Sequence, residues 1–296
     1  MQEAPSTELK EVISNNASRF ITALNEAAFN QQFPKLSGNE ITERGLSSIT
    51  ALWEDGRFFC NIPELEVKLL KLNNGFEIRQ IPLHYKEKDA DGVREMNEGV
   101  LIFSESGLID DIRFGIEHQQ YSELLNASDD VADMRRRKII LDFVEDFRTA
   151  YNRKDLALIE QVFSDDALII IGRVVQSLET DHASGPTGST RVEYFRRKKP
   201  EYISQLKSIF ENNQSINVRF DGLSIVQHPM HDSIYGVTLL QHWISTNYGD
   251  SGYLFLMIDF RDEDEPMIHV RTWQPEKEVT NDEVFLLSDF WITQRR

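Results

Sequence analysis

The sequence predicts an α+β protein with two domains and an apolar C-terminal tail. The chain has 296 residues, of which 40% are hydrophobic, and is long enough for two cores at ordinary domain sizes. Helical periodicity opens each half of the chain, and extended runs follow it in each half. We place the N-terminal α+β domain at residues 1–127, the second domain at 128–277 and the tail at 278–296.

The N-terminal domain is predicted to be two helices followed by an antiparallel sheet. Apolar residues such as Phe20 and Leu24 recur at helical spacing in the first segment, and a second helix is expected over about 39–53. Several extended runs follow. Asn74-Gly75 and Ser106-Gly107 lie between apolar runs, which indicates hairpins because Gly and Asn tolerate positive φ.

The second domain is predicted to begin after the polar stretch 126–130, which is either a linker or a helix cap provided by Ser128 and Asp129. A helix with one apolar stripe, a short helix and a strand over about 167–175 come next. The stretch Ser177–Thr190 is rich in Ser, Gly and Thr, and we expect a lid or a disordered insertion there. A helix begun by Pro200 and four strands complete the domain.

Two stretches of this domain carry a family resemblance. The run RRRKIILDFVEDFRTAYNRKDLALIEQVFSDDALIII and the final HVRTWQP resemble the corresponding parts of the nuclear transport factor 2-like superfamily, near its ketosteroid isomerases and SnoaL-like polyketide cyclases. The resemblance covers about residues 132–277 and implies a cone of helices packed on a curved antiparallel sheet. It implies no particular activity, because that fold carries isomerases, cyclases, dehydratases and proteins without chemistry.

The resemblance extends in two less specific directions. The N-terminal domain, with helices before strands, could be a diverged copy of the cone, although no repeat can be aligned. The two-domain whole also resembles envelope proteins of Gram-negative bacteria whose function is uncharacterised. This implies a periplasmic or secreted protein whose signal peptide has been replaced by an initiator Met, while a cytoplasmic protein with a native polar start is the alternative.

Residue parity in the last strands predicts one face that carries both rings and charges. Side chains alternate along a strand, so the odd positions of the last two strands are expected to share a face. With two residues of the preceding strand, this mixed face comprises Gln241, Trp243, Tyr253, Phe255, Asp259, Arg261, His269, Arg271 and Trp273. It carries too many large rings to be solvated, so something is expected to cover it.

Two coverings of the mixed face remain open. If it lines a cone pocket, Asp259 or His269 is the candidate acid or base, and Tyr253 or Tyr151 is the candidate donor to an oxyanion on a small apolar ligand. If it packs on another sheet, from the first domain or from a second copy in a homodimer, its rings and arginines form an interface core. We favour the interface, since no complete catalytic set can be placed.

Composition and motifs exclude several classes of function. A net charge of −17 disfavours nucleic acid and anionic membranes, and the basic run 196–199 is interpreted as a solvated face. No apolar run is long enough to span a membrane. His228 and His231 have an H-x-x-H spacing without further ligands, so neither a metal nor a cofactor is expected. The single cysteine, Cys60, is interpreted as a buried thiol.

The leading hypothesis is therefore a non-enzymatic binding or assembly protein of the cell envelope that acts by protein–protein interaction. The apolar tail supports it, because Phe285, Leu287, Phe290 and Trp291 are too apolar for a disordered end and should dock on the body or on a partner. The alternative is an isomerase, cyclase or dehydratase, or a ligand carrier, that uses the cone pocket.

Overall fold

The computed structural model describes residues 5–62, 68–72, 74–87, 94–181 and 185–292. It confirms a mixed helix-and-sheet protein in which one sheet is a curled half-barrel. By its internal contacts the chain forms two compact units, Met1–Lys154 and Asp155–Arg296. Among the described residues, no helix has the length and apolar character needed to cross a membrane.

In its described residues the first unit contains four helices and five strands. The helices are α1 (Thr7–Asn30), α2 (Glu43–Asp55), α3 (His118–Leu125) and α4 (Val131–Asn152). The strands are β1 (Gly56–Phe59), β2 (Leu69–Leu72), β3 (Gly75–Glu87), β4 (Arg94–Phe103) and β5 (Ile109–Gly115). They pair antiparallel in the order β1-β3-β4-β5, and β2 also pairs with β3. The predicted strand from residue 65 begins in 63–67, which lie outside the described residues.

The core of this unit joins α1 and α2 to one face of the sheet. Phe20 and Leu24 of α1 and Ile49 of α2 are fully buried in it, together with Phe58 and Phe103 from the strands. The apolar stripes predicted from helical spacing are thus the faces that the helices bury. Cys60 is a free thiol in the same core.

Local turn chemistry sets the hairpins. Gly75 has φ +133° and Gly107 has φ +83°, a backbone region that residues with a Cβ rarely adopt. The two dipeptides therefore turn the chain where the sequence predicts, between β2 and β3 and between β4 and β5.

The polar stretch before α4 acts as a helix cap. The side chain of Asp130 accepts a hydrogen bond from the Asp133 backbone N–H at 2.8 Å, and Ser128 Oγ accepts one from the Asp130 N–H. By its contacts α4 groups with the first unit. The domain boundary at 127/128 stays a prediction about folding units.

Two helices and six strands make up the described part of the second unit. The helices are α5 (Leu156–Gln161) and α6 (Lys199–Asn212). The strands are β6 (Phe163–Asp181), β7 (Gly185–Arg197), β8 (Ile216–His228), β9 (His231–Ser245), β10 (Gly249–Asp259) and β11 (Met267–Pro275). The sheet order is β7-β6-β11-β10-β9-β8, and only the β6–β11 pair is parallel among the described strands. Three short 3-10 turns, Glu276–Glu278, Asn281–Glu283 and Leu287–Asp289, follow β11.

The stretch Ser177–Thr190 is not the loop that its composition suggests. The strands β6 and β7 pair continuously from Ile169 with Arg197 to Asp181 with Gly185. Ser, Thr and Gly are common in loops, but Thr is also favoured in strands, and the long pairing with β7 overrides the local composition. Residues 182–184, which belong to the stretch predicted to be a lid or an insertion, lie outside the described residues.

Candidate functional site

The strand register separates the residues of the predicted mixed face. In the pairing of β10 with β11, Phe255 is opposite Thr272, while Leu254 is opposite Trp273 and Leu256 is opposite Arg271. Directly paired residues share a face of the sheet. Arg271 and Trp273 therefore lie on the opposite face from Tyr253, Phe255 and Asp259, and the prediction of one mixed face is wrong.

A β-bulge at His269 is the physical reason for this error. Asp259 pairs with Met267 and Ile258 with Ile268, but Met257 pairs with Val270, so the strand register skips position 269. One extra residue shifts the alternation of every side chain beyond it to the other face. Side chains do alternate within each strand, as predicted. After the bulge, however, the odd positions of β10 are paired with the even positions of β11.

The first face, which we call the helix face, is covered by α6. It carries Leu254, Leu256, Arg271, Trp273, Gln241 and Trp243. The Arg271 guanidinium lies 5.0 Å from the ring centroid of Tyr202 on α6, and Tyr202 meets Phe163 edge to face at 5.7 Å. The Trp273 indole lies so close to Gly252 that a Cβ there would approach it to 2.5 Å. Side chains of the protein itself thus fill this part of the helix face.

Gln241 is the exception on the helix face. It is 4% exposed, and its Oε1 has no hydrogen-bond partner within the described part of the chain. A buried amide oxygen without a partner is unusual in a folded protein. Gln241 is therefore the residue of the predicted face that most resembles a ligand contact.

The second face, which we call the tail face, is covered by the C-terminal tail. Phe290 stacks on Phe255 at 5.3 Å with an interplanar angle of 5°, and Leu287 packs with Ile234, Met257 and Val270. The Phe285 backbone N–H donates to Gln274 Oε1 at 2.7 Å, which fixes the start of this segment. The sequence suggested a pocket or a second sheet as the covering, and here the chain's own tail covers Phe255.

Two of the candidate acid–base residues meet at the end of β10. His269 Nε2 lies 3.5 Å from Asp259 Oδ2, and His269 Nδ1 lies 3.8 Å from Asp166 Oδ1. Asp259 also accepts hydrogen bonds from the Arg261 backbone N–H at 2.8 Å and from Arg261 Nε at 2.7 Å. Burial alone would raise the pKa of Asp259, but the hydrogen bonds and charge of Arg261 outweigh it and hold this pKa below its ordinary value. A carboxylate with a lowered pKa is a weak general base.

The candidate tyrosines are not assembled around that carboxylate. Tyr253 is on the same strand as Asp259, six residues earlier, which corresponds to about 20 Å along the strand. Tyr151 belongs to α4 in the first unit, where its buried ring meets Phe147 edge to face at 4.8 Å. The structure therefore joins Asp259 to His269 but does not bring Tyr253 to them.

A second polar constellation, which the sequence reasoning missed, lies at the other end of the tail face. Ser251 on β10 is directly opposite His242 on β9, and Ser251 Oγ lies 2.7 Å from His242 Nδ1. His242 Nε2 lies 2.9 Å from Asp221 Oδ2 on β8, and Arg219 Nη2 lies 3.4 Å from the same oxygen. His242 and Asp221 are partly exposed, with 26% and 52% of their side-chain surfaces accessible. Three adjacent strands thus present serine, histidine and aspartate in one row.

The first unit holds a buried ionic cluster that was also missed. Arg79 and Arg113 of the sheet both contact Glu145 of α4, and Glu77 and Asp146 complete the cluster. The side chains of Glu77, Arg79, Arg113 and Glu145 are each at most 7% exposed. Burial alone would lower the pKa of Arg113, but the carboxylates of Asp146 and Glu145 raise it above its ordinary value. The cluster attaches α4 to the sheet face opposite the apolar core.

The histidine pair near the β8–β9 turn forms a turn of its own. His228 Nδ1 accepts hydrogen bonds from the backbone N–H groups of Met230 and His231, both at 3.1 Å. The lone pair of that nitrogen is therefore already used within the turn. Burial and the neighbouring His231 lower the pKa of His228. Within the described ranges no group of three or more His, Cys, Asp or Glu side chains is arranged to hold a metal ion.

Comparisons with solved structures find similarity at a low level. An NTF2-like protein from Cytophaga hutchinsonii matches 47% of this chain and 97% of its own, with 16% identity and a TM-score of 0.34. This chain is similar to NTF2-like proteins.

Two further solved structures are similar at the same low level. ActVI-ORFA from Streptomyces coelicolor matches 47% of this chain and 95% of its own, with 10% identity and a TM-score of 0.33. A protein from Bdellovibrio bacteriovorus matches 74% of this chain and 88% of its own, with 14% identity and a TM-score of 0.36. No family model and no curated protein matches the sequence.

Proposed function

We propose that this protein acts by binding a protein partner, and that the part of the NTF2-like sheet around Phe255 and Arg271 serves as a scaffold and not as a catalytic pocket. The observation that carries the proposal is that the protein's own chain covers the central strands on both sides. Arg271 meets Tyr202 of α6 on the helix face, and Phe290 stacks on Phe255 on the tail face. The Asp259 carboxylate, the best acid–base candidate, is held by Arg261.

The partner surface that we propose, the aromatic edge, is centred on Tyr194, Arg196 and Phe285, and we assign to it the exposed tail residues Leu286 and Trp291. Tyr194 lies on β7, an edge strand of the sheet, and its ring meets Phe285 at 5.3 Å. Tyr194 is 42% exposed, Leu286 50% and Trp291 96%. Tyr, Trp and Arg are the residue types enriched at binding hot spots.

The geometry and charge of the aromatic edge favour an extended acidic segment as its partner. An edge strand offers unpaired backbone groups to which an extended peptide adds as a further strand. Arg196 and Lys198 are exposed beside Tyr194, in a chain whose net charge is −17. Opposite charge steers and selects partners, so this locally basic strand should prefer acidic ones.

Fluorescence anisotropy with labelled peptides tests this function. A peptide that alternates Glu and Val is expected to bind, and one that alternates Lys and Val is not. Trp291→Ala and Tyr194→Ala should each weaken binding about tenfold or more, the loss expected for a hot-spot ring. Met230→Ala, which removes an 84% exposed apolar side chain at the β8–β9 turn, is the matched control. Equal affinity of both peptides, or wild-type affinity of both ring variants, would show the proposal to be wrong.

A ligand carrier is the second candidate, and the unpartnered oxygen of Gln241 favours it. A bound small molecule with an N–H or O–H group would satisfy that oxygen. Gln241→Met separates the cases: in a closed core, replacing the unpaired amide by an apolar side chain of similar size should stabilise the fold. In a carrier, the substitution should instead abolish the thermal shift that the wild-type protein shows with small aromatic alcohols or amides.

The envelope location that the resemblance implies also stays a proposal. Cell fractionation of the full-length protein expressed from its own start would decide between the periplasm and the cytoplasm.

A further inference from the structure

The row formed by Ser251, His242 and Asp221 has a defined direction of proton donation. An aspartate carboxylate only accepts hydrogen bonds, so the 2.9 Å contact requires a proton on His242 Nε2. In the neutral imidazole, Nδ1 then carries the lone pair. In that tautomer Ser251 Oγ, at 2.7 Å, donates its proton toward Nδ1.

This arrangement is the one that activates a serine nucleophile. A hydroxyl group attacks a carbonyl only if a base accepts its proton, and the base works best when a third group orients it. His242 is in place to accept the proton from Ser251, and Asp221 holds the ring and would stabilise it once it is charged. The two ring nitrogens have exchanged roles relative to the usual triad, but the proton logic is the same.

We propose that Ser251 is a nucleophile that accepts the acyl group of small carboxylic esters, with His242 as its base and Asp221 as the residue that orients the base. Ser251 Oγ attacks the carbonyl carbon while its proton passes to His242 Nδ1. The bond between carbonyl carbon and alcohol oxygen breaks, and the departing oxygen takes that proton. Water then attacks the acyl-serine, gives a proton to Nδ1, and the proton returns to Ser251 as the acid leaves.

The surroundings of Ser251 define the substrate class. Tyr253 follows two positions later, so it lies on the same face about 7 Å away, within reach of a carbonyl oxygen bound at Ser251. Leu240, opposite Tyr253, adds an apolar contact on that face. His242 is 26% exposed, which leaves access from solvent. A small ester with an aryl group fits these neighbours.

All three side chains are held by paired strands of the sheet and not by a loop. Ser251 pairs with His242, His242 pairs with Arg219, and Asp221 lies two positions from Arg219 on the same face. Strand residues directly opposite or diagonal to one another stay within side-chain reach. The relay is therefore preformed, which is what a general base requires.

Covalent labelling tests the proposal directly. The full chain is incubated with a fluorophosphonate, and the modified residue is located by peptide mass spectrometry. A single adduct on Ser251 is expected. His242→Gln, which keeps hydrogen-bonding capacity but removes the base, should slow labelling by about 100-fold or more. Hydrolysis of p-nitrophenyl acetate should fall in parallel, and should stop in Ser251→Ala.

The controls distinguish a reactive serine from background. Ser224→Ala, which changes an exposed serine on the neighbouring strand β8, should leave the labelling unchanged. Circular dichroism verifies that each variant folds. Labelling of Ser251 no faster than that of other serines, or equal labelling in a folded His242→Gln variant, overturns the assignment. Peptide binding at the aromatic edge should be the same in Ser251→Ala, so the failure of either proposal leaves the other measurable.

Discussion

Removing the Glu145 carboxylate should destabilise the first unit by about 3 kcal/mol. Its side chain is fully buried and accepts hydrogen bonds from Arg79 Nη1 at 3.1 Å and from the Ile116 backbone N–H at 2.8 Å, while Arg113 Nε lies at 3.4 Å. Breaking a buried ion pair by removing one partner costs about 3–5 kcal/mol, because the remaining charge stays buried. Arg79 retains Glu77 at 3.6 Å, so the lower end of that range applies.

Urea denaturation at neutral pH, followed by circular dichroism, measures this cost for Glu145→Ala. With a slope of about 2 kcal/mol per molar urea, the midpoint should fall by about 1.5 M. Glu145→Gln keeps an oxygen for the Ile116 N–H and should lose less. Arg19→Ala breaks an ion pair to Glu40 in which the arginine is 69% exposed, and should cost at most about 1 kcal/mol. If Glu145→Ala shifts the midpoint no more than Arg19→Ala does, the buried cluster does not stabilise the fold.

Three more changes have defined outcomes. Burial alone would raise the pKa of Asp111. The charge and hydrogen bond of Arg153 outweigh burial and hold this pKa below its ordinary value. This carboxylate therefore stabilises the fold above about pH 4 and loses that contribution as the pH falls through its folded-state pKa, so Asp111→Asn should flatten the acid decline in unfolding free energy. Leu287→Ala should lower the free energy of unfolding by about 2–4 kcal/mol, since this tail residue is 7% exposed. Trp291→Ala should change it by no more than about 0.5 kcal/mol in the same thermal melt. Equal effects of the two variants would mean that the tail is not packed. Gly252→Ala should destabilise the fold by about 1–3 kcal/mol in the same melt, because the new methyl group would clash with a backbone oxygen of β11. A variant that melts at the wild-type temperature would refute that contact.

The parts of the fold that depend on local chemistry could be predicted from the sequence. The apolar spacing of α1 and the glycines at positions 75 and 107 act within a few residues, so α1, α2 and the two hairpins of the first unit were foreseen. The composition of Ser177–Thr190 misled, because pairing of β6 with β7 is a property of two strands and not of one. The short helix α3, over His118–Leu125, was not predicted.

The candidate site could not be assembled from the sequence because its geometry depends on register. Ser251 meets His242 because the β9–β10 connection is centred between Thr246 and Asn247. Centring the turn two residues later in the chain would move the partner of His242 by four positions, from Ser251 to Phe255. No local signal marks the serine, and only the pairing of two strands reveals it.

The bulge at His269 changes which positions of β11 face the tail. Before it, odd positions point with the odd positions of β10, and after it even positions do. If β11 paired regularly with His269 retained, every side chain after it would change face: Arg271 and Trp273 would lie under the tail, while Val270 and Thr272 would face α6. Deleting His269 would instead remove the bulge and leave these faces as they are. Any substitution library for this strand must therefore change its polar and apolar alternation at position 269, and a single alternation along the whole strand would bury charge on one side of the sheet.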